Sequence, residues 1–217
     1  MESEYGNNFS MEGFVHMETA VDQLKKGLTA AFLDKGVYSG ESYRPQLVLN
    51  NHKLGQKVLT SLETELNNCD EFFISVAFIT MSGIIPLLQT LQELEADGVK
   101  GKIITTDYLS FSEPAALEKL NSFRNIELKF YCAGDRGFHT KGYIFRRGEE
   151  YRIIVGSANL TSNALTRNEE WNTKLVSMEQ GEYTEGIIRR FHELWQDEHT
   201  LPYAEIADKY KGYYTAQ

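Results

Sequence analysis

Apolar positions change period repeatedly along the chain, and the changes mark out its elements. Residues 18–35 place Ala20, Val21, Leu24, Leu28, Ala31 and Phe32 on one helical stripe, and Gly36 suits a helix stop. After a loop at Gly40–Pro45 comes a short strand over residues 46–49. Asn50 and Asn51 then offer caps for a helix over 53–68, whose inner face is Val58, Leu59, Leu62 and Leu66. Residues 71–79 form a nearly unbroken apolar run with Phe72, Phe73, Ile74, Val76 and Phe78, which suits a central strand covered on both faces. A helix from Ser82 to Leu94, a strand over 101–105, a helix opened by Pro114 and a strand over 126–132 continue the alternation. Strands over 138–145, 151–155 and 169–177 follow, then a helix over 182–198 and a tail from Leu201. Between them, residues 160–165 read as a short helix or ordered loop. Helix and strand in regular alternation predict an α/β domain.

The densest chemistry lies on the strand Phe138-His139-Thr140-Lys141-Gly142-Tyr143-Ile144-Phe145. Strand alternation places His139, Lys141 and Tyr143 on one face and Phe138, Thr140, Gly142 and Ile144 on the other. An imidazole beside a fixed ammonium is what an anionic, phosphate-like centre requires: a nucleophile or proton carrier next to a positive charge. The next strand ends in Gly156-Ser157-Ala158-Asn159, where small residues let backbone N–H groups approach a ligand and Asn159 adds an amide. If Ser157–Asn159 opens a helix, its free N–H groups face the anion. On the strand from Glu169, Glu170 and Asn172 share one face, and Trp171 takes the other as a core residue. Asp107 either lines the site or caps the segment after it.

Composition narrows the field. The chain has 217 residues, ordinary apolar content of 41% and a net charge of −9. That balance argues against a broadly basic nucleic-acid surface. Yet Arg124, Lys129, Arg136, Lys141, Arg146, Arg147 and Arg152 crowd around the motif, either as a basic rim or as solvated edges and turns. Cys69 and Cys132 form no CxxC pair or Cys/His cluster, so a zinc site is not expected and a reduced interior is. His16, His52, His192 and His199 read as surface or cap residues. Neither a signal-peptide pattern nor an apolar run of membrane-spanning length is present, and a cytoplasmic protein with no membrane association is expected.

HxK followed by GSxN resembles the phospholipase D superfamily. The later Asn168-Glu169-Glu170-Trp171-Asn172 resembles its nuclease branch, which includes a metal-independent type IIS restriction endonuclease and nuclease-like domains fused to superfamily 2 helicases. The resemblance runs from about Phe72 to Trp195. In the better-known form of the superfamily an aspartate stands five positions after the lysine; that position is Arg146, and Glu170, eleven positions after Asn159, takes its place.

The resemblance implies an α/β fold, a phospholipase D-like mixed sheet sandwiched between helices with an N-terminal helical arm. Residues 1–45 would be the arm, 46–200 the domain and 201–217 a C-terminal tail or linker. It implies a phosphodiesterase acting on DNA without metal or other cofactor. His139 would form a phosphohistidine, Lys141 and Asn159 would hold the phosphoryl oxygens, and Glu170 would orient an imidazole. Gly156, Ser157, Tyr143 and Asn172 would contact substrate. Two histidines are needed and the sequence has one HxK, so a homodimer is expected. A helicase domain is the expected partner in a longer protein. The alternative is a non-catalytic DNA-binding or dimerisation module of the same fold, suggested by Arg146. A lipid phosphodiesterase is disfavoured because no amphipathic or polybasic membrane-binding segment is evident.

Overall fold

The computed structural model describes residues 19–30, 43–132, 134 and 137–216. The chain divides into two units, Met1–Glu41 and Ser42–Gln217. In the first, helix α1 (Ala20–Ala30) is opened by Thr19, whose hydroxyl accepts from the Asp22 N–H at 3.2 Å. Val21 and Leu24 on its apolar stripe are exposed. His16, Gly36 and the rest of the expected arm lie outside the described residues.

The second unit is built on one eight-stranded sheet in the order β1-β7-β6-β5-β2-β3-β4-β8. The strands are β1 (Gln46–Val48), β2 (Glu71–Val76), β3 (Lys100–Thr106), β4 (Ile126–Tyr131), β5 (Lys141–Arg147), β6 (Glu150–Gly156), β7 (Asn172–Met178) and β8 (Thr200–Pro202). β2, β3 and β4 run parallel, joined by helical crossovers; β5 turns antiparallel against β2, and β6 and β7 continue as a meander.

Helices cover both faces unequally. The helices α2 (Val58–Leu66), α3 (Met81–Ile84), α4 (Leu88–Ala96), α5 (Pro114–Asn121), α6 (Ser162–Thr166) and α8 (Tyr203–Thr215) contribute to one core, with Phe72, Ile74, Ile103, Tyr143, Phe145 and Ile154 of the sheet. Helix α7 (Glu182–Gln196) alone supplies the other core. There Phe191 and Trp195 meet Phe73, Ile104, Tyr131, Ile144 and Ile153. The apolar run of β2 follows from this: residues from Phe72 to Ala77 are buried because both of its faces are covered, Ser75 among them.

Several elements differ from the sequence expectation. The helix expected over 53–68 begins only at Val58, because Asn51 pairs with Gln56 around a turn with Gly55 at φ 67°. Asn50 still caps it, accepting from the Val58 N–H at 3.0 Å. Pro86 breaks the expected helix from Ser82 into α3, a 3-10 turn and α4. The strand expected from Phe138 starts at Lys141.

The segment from Leu201, which the sequence leaves open between a final helix and a linker, forms an edge strand and a final helix. Residues 200–202 pair with β4 as an edge strand, and Tyr203 and Tyr210 of α8 are buried, with the Tyr210 hydroxyl donating to the Ser112 carbonyl at 2.7 Å. These residues belong to the sheet domain, because their tyrosines are the apolar cover of β4.

Candidate active site

The site lies along one edge of the sheet, where β2 and β6 end and β5 and β7 begin. Register fixes the neighbours: Val76 stands opposite Lys141, Gly142 opposite Val155 and Gly156 opposite Asn172. His139, Lys141, Ser157 and Glu170 converge there from segments up to 31 positions apart in sequence.

Lys141 is buried at 7% exposure, and its side chain turns back over the preceding residues. Its ammonium donates to His139 Nδ1 at 2.7 Å and to the His139 carbonyl at 3.0 Å. A nitrogen that accepts from an ammonium carries no proton, so in this geometry the imidazole proton sits on Nε2. Burial, and then the Lys141 charge, hold His139 below its ordinary 6.5, so the ring tends to neutrality. Burial likewise lowers Lys141, while the Glu170 carboxylate acts in the opposite sense. Glu170 is itself buried and accepts from the Ser157 hydroxyl in a short hydrogen bond. Ser157 Oγ in turn accepts from the Trp171 N–H at 3.1 Å. The described chain therefore places its carboxylate beside Lys141 and Ser157 rather than on its own imidazole.

Other expected residues have different work. Tyr143 is in the core at 1% exposure and donates to the Ala158 carbonyl at 3.0 Å. Asn172, also 1% exposed, accepts from the Ala158 N–H at 3.1 Å and donates to the Val48 carbonyl at 3.0 Å. Both are buried and hold the 157–159 loop in place. Asn159 accepts from the Phe78 N–H at 3.2 Å through Oδ1, which turns its amide nitrogen to the other side.

Gly156 is required for an internal reason. A Cβ there would collide with the Trp171 carbonyl and lie 2.5 Å from Asn172 Cα. Ser157–Asn159 does not open a helix; the short helix forms after it, within the segment read as a helix or ordered loop. The Ser157, Ala158 and Leu160 N–H groups already donate to Trp171, Asn172 and Phe78, and α6 starts later, with Thr161 as its cap. No backbone anion nest forms there.

Trp171 alternates with Glu170 and Asn172 as expected but is 70% exposed rather than core. It faces the α7 side, and the core beneath α7 draws its buried residues from β2 to β6 and the segments adjoining them, leaving this end of β7 uncovered. Asp107 stands at the start of a 3-10 turn at Tyr108–Ser110 without capping it through its side chain: the Tyr108 N–H donates to Thr106 Oγ1 at 3.1 Å, and the Asp107 carboxylate accepts from the Thr106 hydroxyl at 3.4 Å. The basic cluster disperses: Arg124 pairs with Glu95, Arg146 with Glu71 and Arg152 with Glu65 and Glu150, while Lys129 donates to the Trp195 carbonyl. Arg136 is outside the described residues, and of the others only Lys141 is at the site. Arg146, at the position of the missing aspartate, is five strand residues from Lys141, about 17 Å along β5, so this replacement does not reach the site.

Sequence reasoning missed Phe78, read as core. Its ring stands edge-on to His139 with centroids 6.0 Å apart and meets the exposed Phe111 at 5.0 Å. It also missed a cavity of about 290 Å³ on the α7 side of β5, bounded by Gly142, Ile144, Val155, Ile187, Phe191 and Leu194, with His139 and Lys141 also in its lining. No local signal joins α7 to the motif, since the helix is brought there only by packing. Among the described residues no group of three or more His, Cys, Asp and Glu side chains could hold a metal ion, and no helix is long and apolar enough to cross a membrane.

Comparison with known proteins gives the fold its relatives. NucT from Helicobacter pylori superposes with a TM-score of 0.58 at 15% identity, over 74% of this chain and 99% of that one. Nuc from Salmonella typhimurium, a phospholipase D family member, gives 0.56 at 17% identity, over 74% and 99%. Phosphatidylserine synthase from Haemophilus influenzae gives 0.54 at 15%, over 80% of this chain and 44% of the other. No curated protein sequence matches. The family model described as "Cardiolipin synthase, PLD-like domain" matches residues 62–195, which span β2 to β7 and every residue of the site, and the chain therefore belongs to the phospholipase D-like family.

Proposed function

We propose that this domain is a metal-independent phosphodiesterase that cleaves DNA through a phosphohistidine. The observation that carries the reading is the Lys141 ammonium, held 2.7 Å from the nitrogen of an exposed imidazole with Glu170 close enough to perturb it. Such a pair offers a phosphoryl group a nitrogen nucleophile and a cation for its non-bridging oxygens. DNA is the substrate because Glu170 at its spacing from Asn159 resembles the nuclease branch.

The chemistry takes two imidazoles in different protonation states. Nε2 of one His139 attacks phosphorus, and the P–O bond to the leaving strand breaks. The leaving oxygen takes a proton from Nε2 of a second His139. Water then attacks the phosphohistidine, with the second imidazole, now neutral, accepting its proton. The donating copy is an imidazolium, protonated at both nitrogens, so its Lys141 has turned from Nδ1 to the phosphoryl oxygens, and the Lys141 contact seen here belongs to the resting neutral ring. In the attacking copy, Lys141 shifts to the phosphoryl oxygens and frees Nδ1 to carry the proton instead. A carboxylate such as Glu170 is a fitting acceptor for that proton. One chain holds one such histidine, so the active form is a homodimer with the site at its two-fold axis. A helicase or restriction-type system is the proposed setting.

Cleavage of plasmid DNA is expected to persist in EDTA and to vanish in His139→Ala with the melting temperature retained. Sedimentation is expected to give a dimer. EDTA-sensitive cleavage, or a strict monomer that cleaves, rules this scheme out.

A further inference from the structure

Gly142 is the second residue of β5, next to Lys141, in an ordinary extended conformation. Glycine in a strand interior weakens it by about 0.5–1 kcal/mol relative to alanine. At some positions of the sheet domain that cost has a visible cause, since a Cβ on Gly83, Gly101 or Gly156 would strike neighbouring protein atoms, whereas Gly186 and Gly212, on α7 and α8, have open space as well. On Gly142 a Cβ would meet nothing within 4 Å. Neither backbone strain nor a protein neighbour requires glycine here. What its missing side chain leaves open is the cavity of about 290 Å³ under α7.

Ile144, Val155, Ile187, Phe191 and Leu194 give that cavity apolar walls. Its polar edge carries Ser75 and Thr140, whose hydroxyls bond to each other at 2.7 Å, and Arg190, which pairs with Glu193 on the helix surface. The volume equals roughly ten waters at about 30 Å³ each, room for one planar heterocycle. His139 and Lys141 are among its lining residues, so a group in the cavity lies next to the pair that would hold the reacting phosphorus.

We propose that this cavity is a nucleobase pocket, which takes the base beside the scissile phosphodiester and makes the domain selective for single-stranded nucleic acid. The proposal rests on the phosphodiesterase reading above. A base can enter an apolar pocket only when it is unstacked and unpaired. In a single strand that state is readily reached, whereas a duplex must first lose a base pair.

The test uses the full chain in EDTA. It compares oligothymidylate with an oligomer of equal length whose sugars carry no base, and a mixed-sequence single strand with its own duplex. The wild type is expected to cleave the base-bearing strand at least about tenfold more efficiently than the abasic one, and the single strand at least about tenfold more efficiently than the duplex. Gly142→Leu from the sheet side and Ile187→Trp from the helix side each fill the cavity, and each is expected to bring the base-to-abasic ratio to within about twofold of one. Melting curves identify a variant that has not folded, and the other variant and the wild-type ratios then decide. Equal wild-type rates on base-bearing and abasic strands, or an unchanged ratio in folded variants, overturn the pocket while leaving the phosphodiesterase intact. Cleavage of neither strand overturns both, and hydrolysis of phosphatidylglycerol vesicles in that case would assign the cavity to a lipid.

Discussion

Two glycines on neighbouring strands turn one chemical change into opposite outcomes. In Gly156→Ala the new methyl lies 2.5 Å from Asn172 Cα and from Asn172 Oδ1, and closer still to the Trp171 carbonyl. Ordinary contact near 3.4 Å requires β6 and the start of β7 to part by about 1 Å. Overpacking of this kind costs about 1–3 kcal/mol, or about 2–12 °C in melting temperature for a domain of this size. The displaced groups are Ser157, bonded to Glu170 and to the Trp171 N–H, and Asn172, which holds Ala158. A misplacement of 1 Å in a catalytic constellation can cost about a hundredfold in rate. Gly142→Ala adds the same methyl to open space, and by restricting the unfolded chain it should stabilise by about 0.4–1 kcal/mol. Thermal melts of both variants, with DNA cleavage measured on Gly156→Ala, test the pair. Equal melting temperatures, or a Gly156→Ala protein that cleaves as fast as wild type, would show that the β6–β7 approach does not hold the site.

Other outcomes follow from the same geometry. Because His139 is held below 6.5, cleavage should rise with pH through a midpoint below 6.5 as the attacking imidazole becomes neutral, and should fall at higher pH as the donating imidazolium and then, below 10.5, Lys141 lose their protons. In Lys141→Met the neighbouring charge is gone and the His139 titration, followed by NMR of the ring proton, should move up towards 6.5 while burial keeps it from arriving fully; a downward move contradicts this account. Glu170→Gln keeps a hydrogen-bond acceptor for Ser157 but removes the charge that raises Lys141, so the alkaline limb should shift to lower pH and cleavage should fall about a hundredfold with little change in melting temperature. Glu65, buried on α2, binds Lys174 and also Arg152 at 3.4 Å. Glu65→Ala leaves Lys174 without its carboxylate partner and Arg152 with Glu150 alone, and should cost about 3–5 kcal/mol in denaturant unfolding.

How much of this was legible beforehand varies by residue. The fold class was, because alternating periods and the all-apolar β2 report burial directly. Lys141 beside His139 was legible as well, since two positions on an extended segment are neighbours whatever else happens. The burial of Tyr143 and Asn172 was not legible, because the face of a strand tells which residues point together, not whether helix or solvent lies there. Trp171 was taken for core for the same reason: large aromatics are usually buried, and only the limited reach of α7 leaves this one in water. The basic cluster looked continuous along the chain, but it dispersed because successive strands carry those residues to different partners.

By itself the sequence determined what is local or periodic: the elements, the sheet-and-helix class, the HxK pair and the glycine–serine end of β6. These are set by side-chain period and backbone preference within a few residues. Only the tertiary structure decided that Glu170 meets Ser157 and not its own histidine, that Arg146 is remote, that Leu201 onward covers β4, and that α7 roofs an open cavity beside Lys141. Those facts depend on which strands neighbour one another and how far each helix extends over them. Strand pairing and helix docking of that kind are fixed by the packing of residues distant in the chain, which no short window of sequence contains.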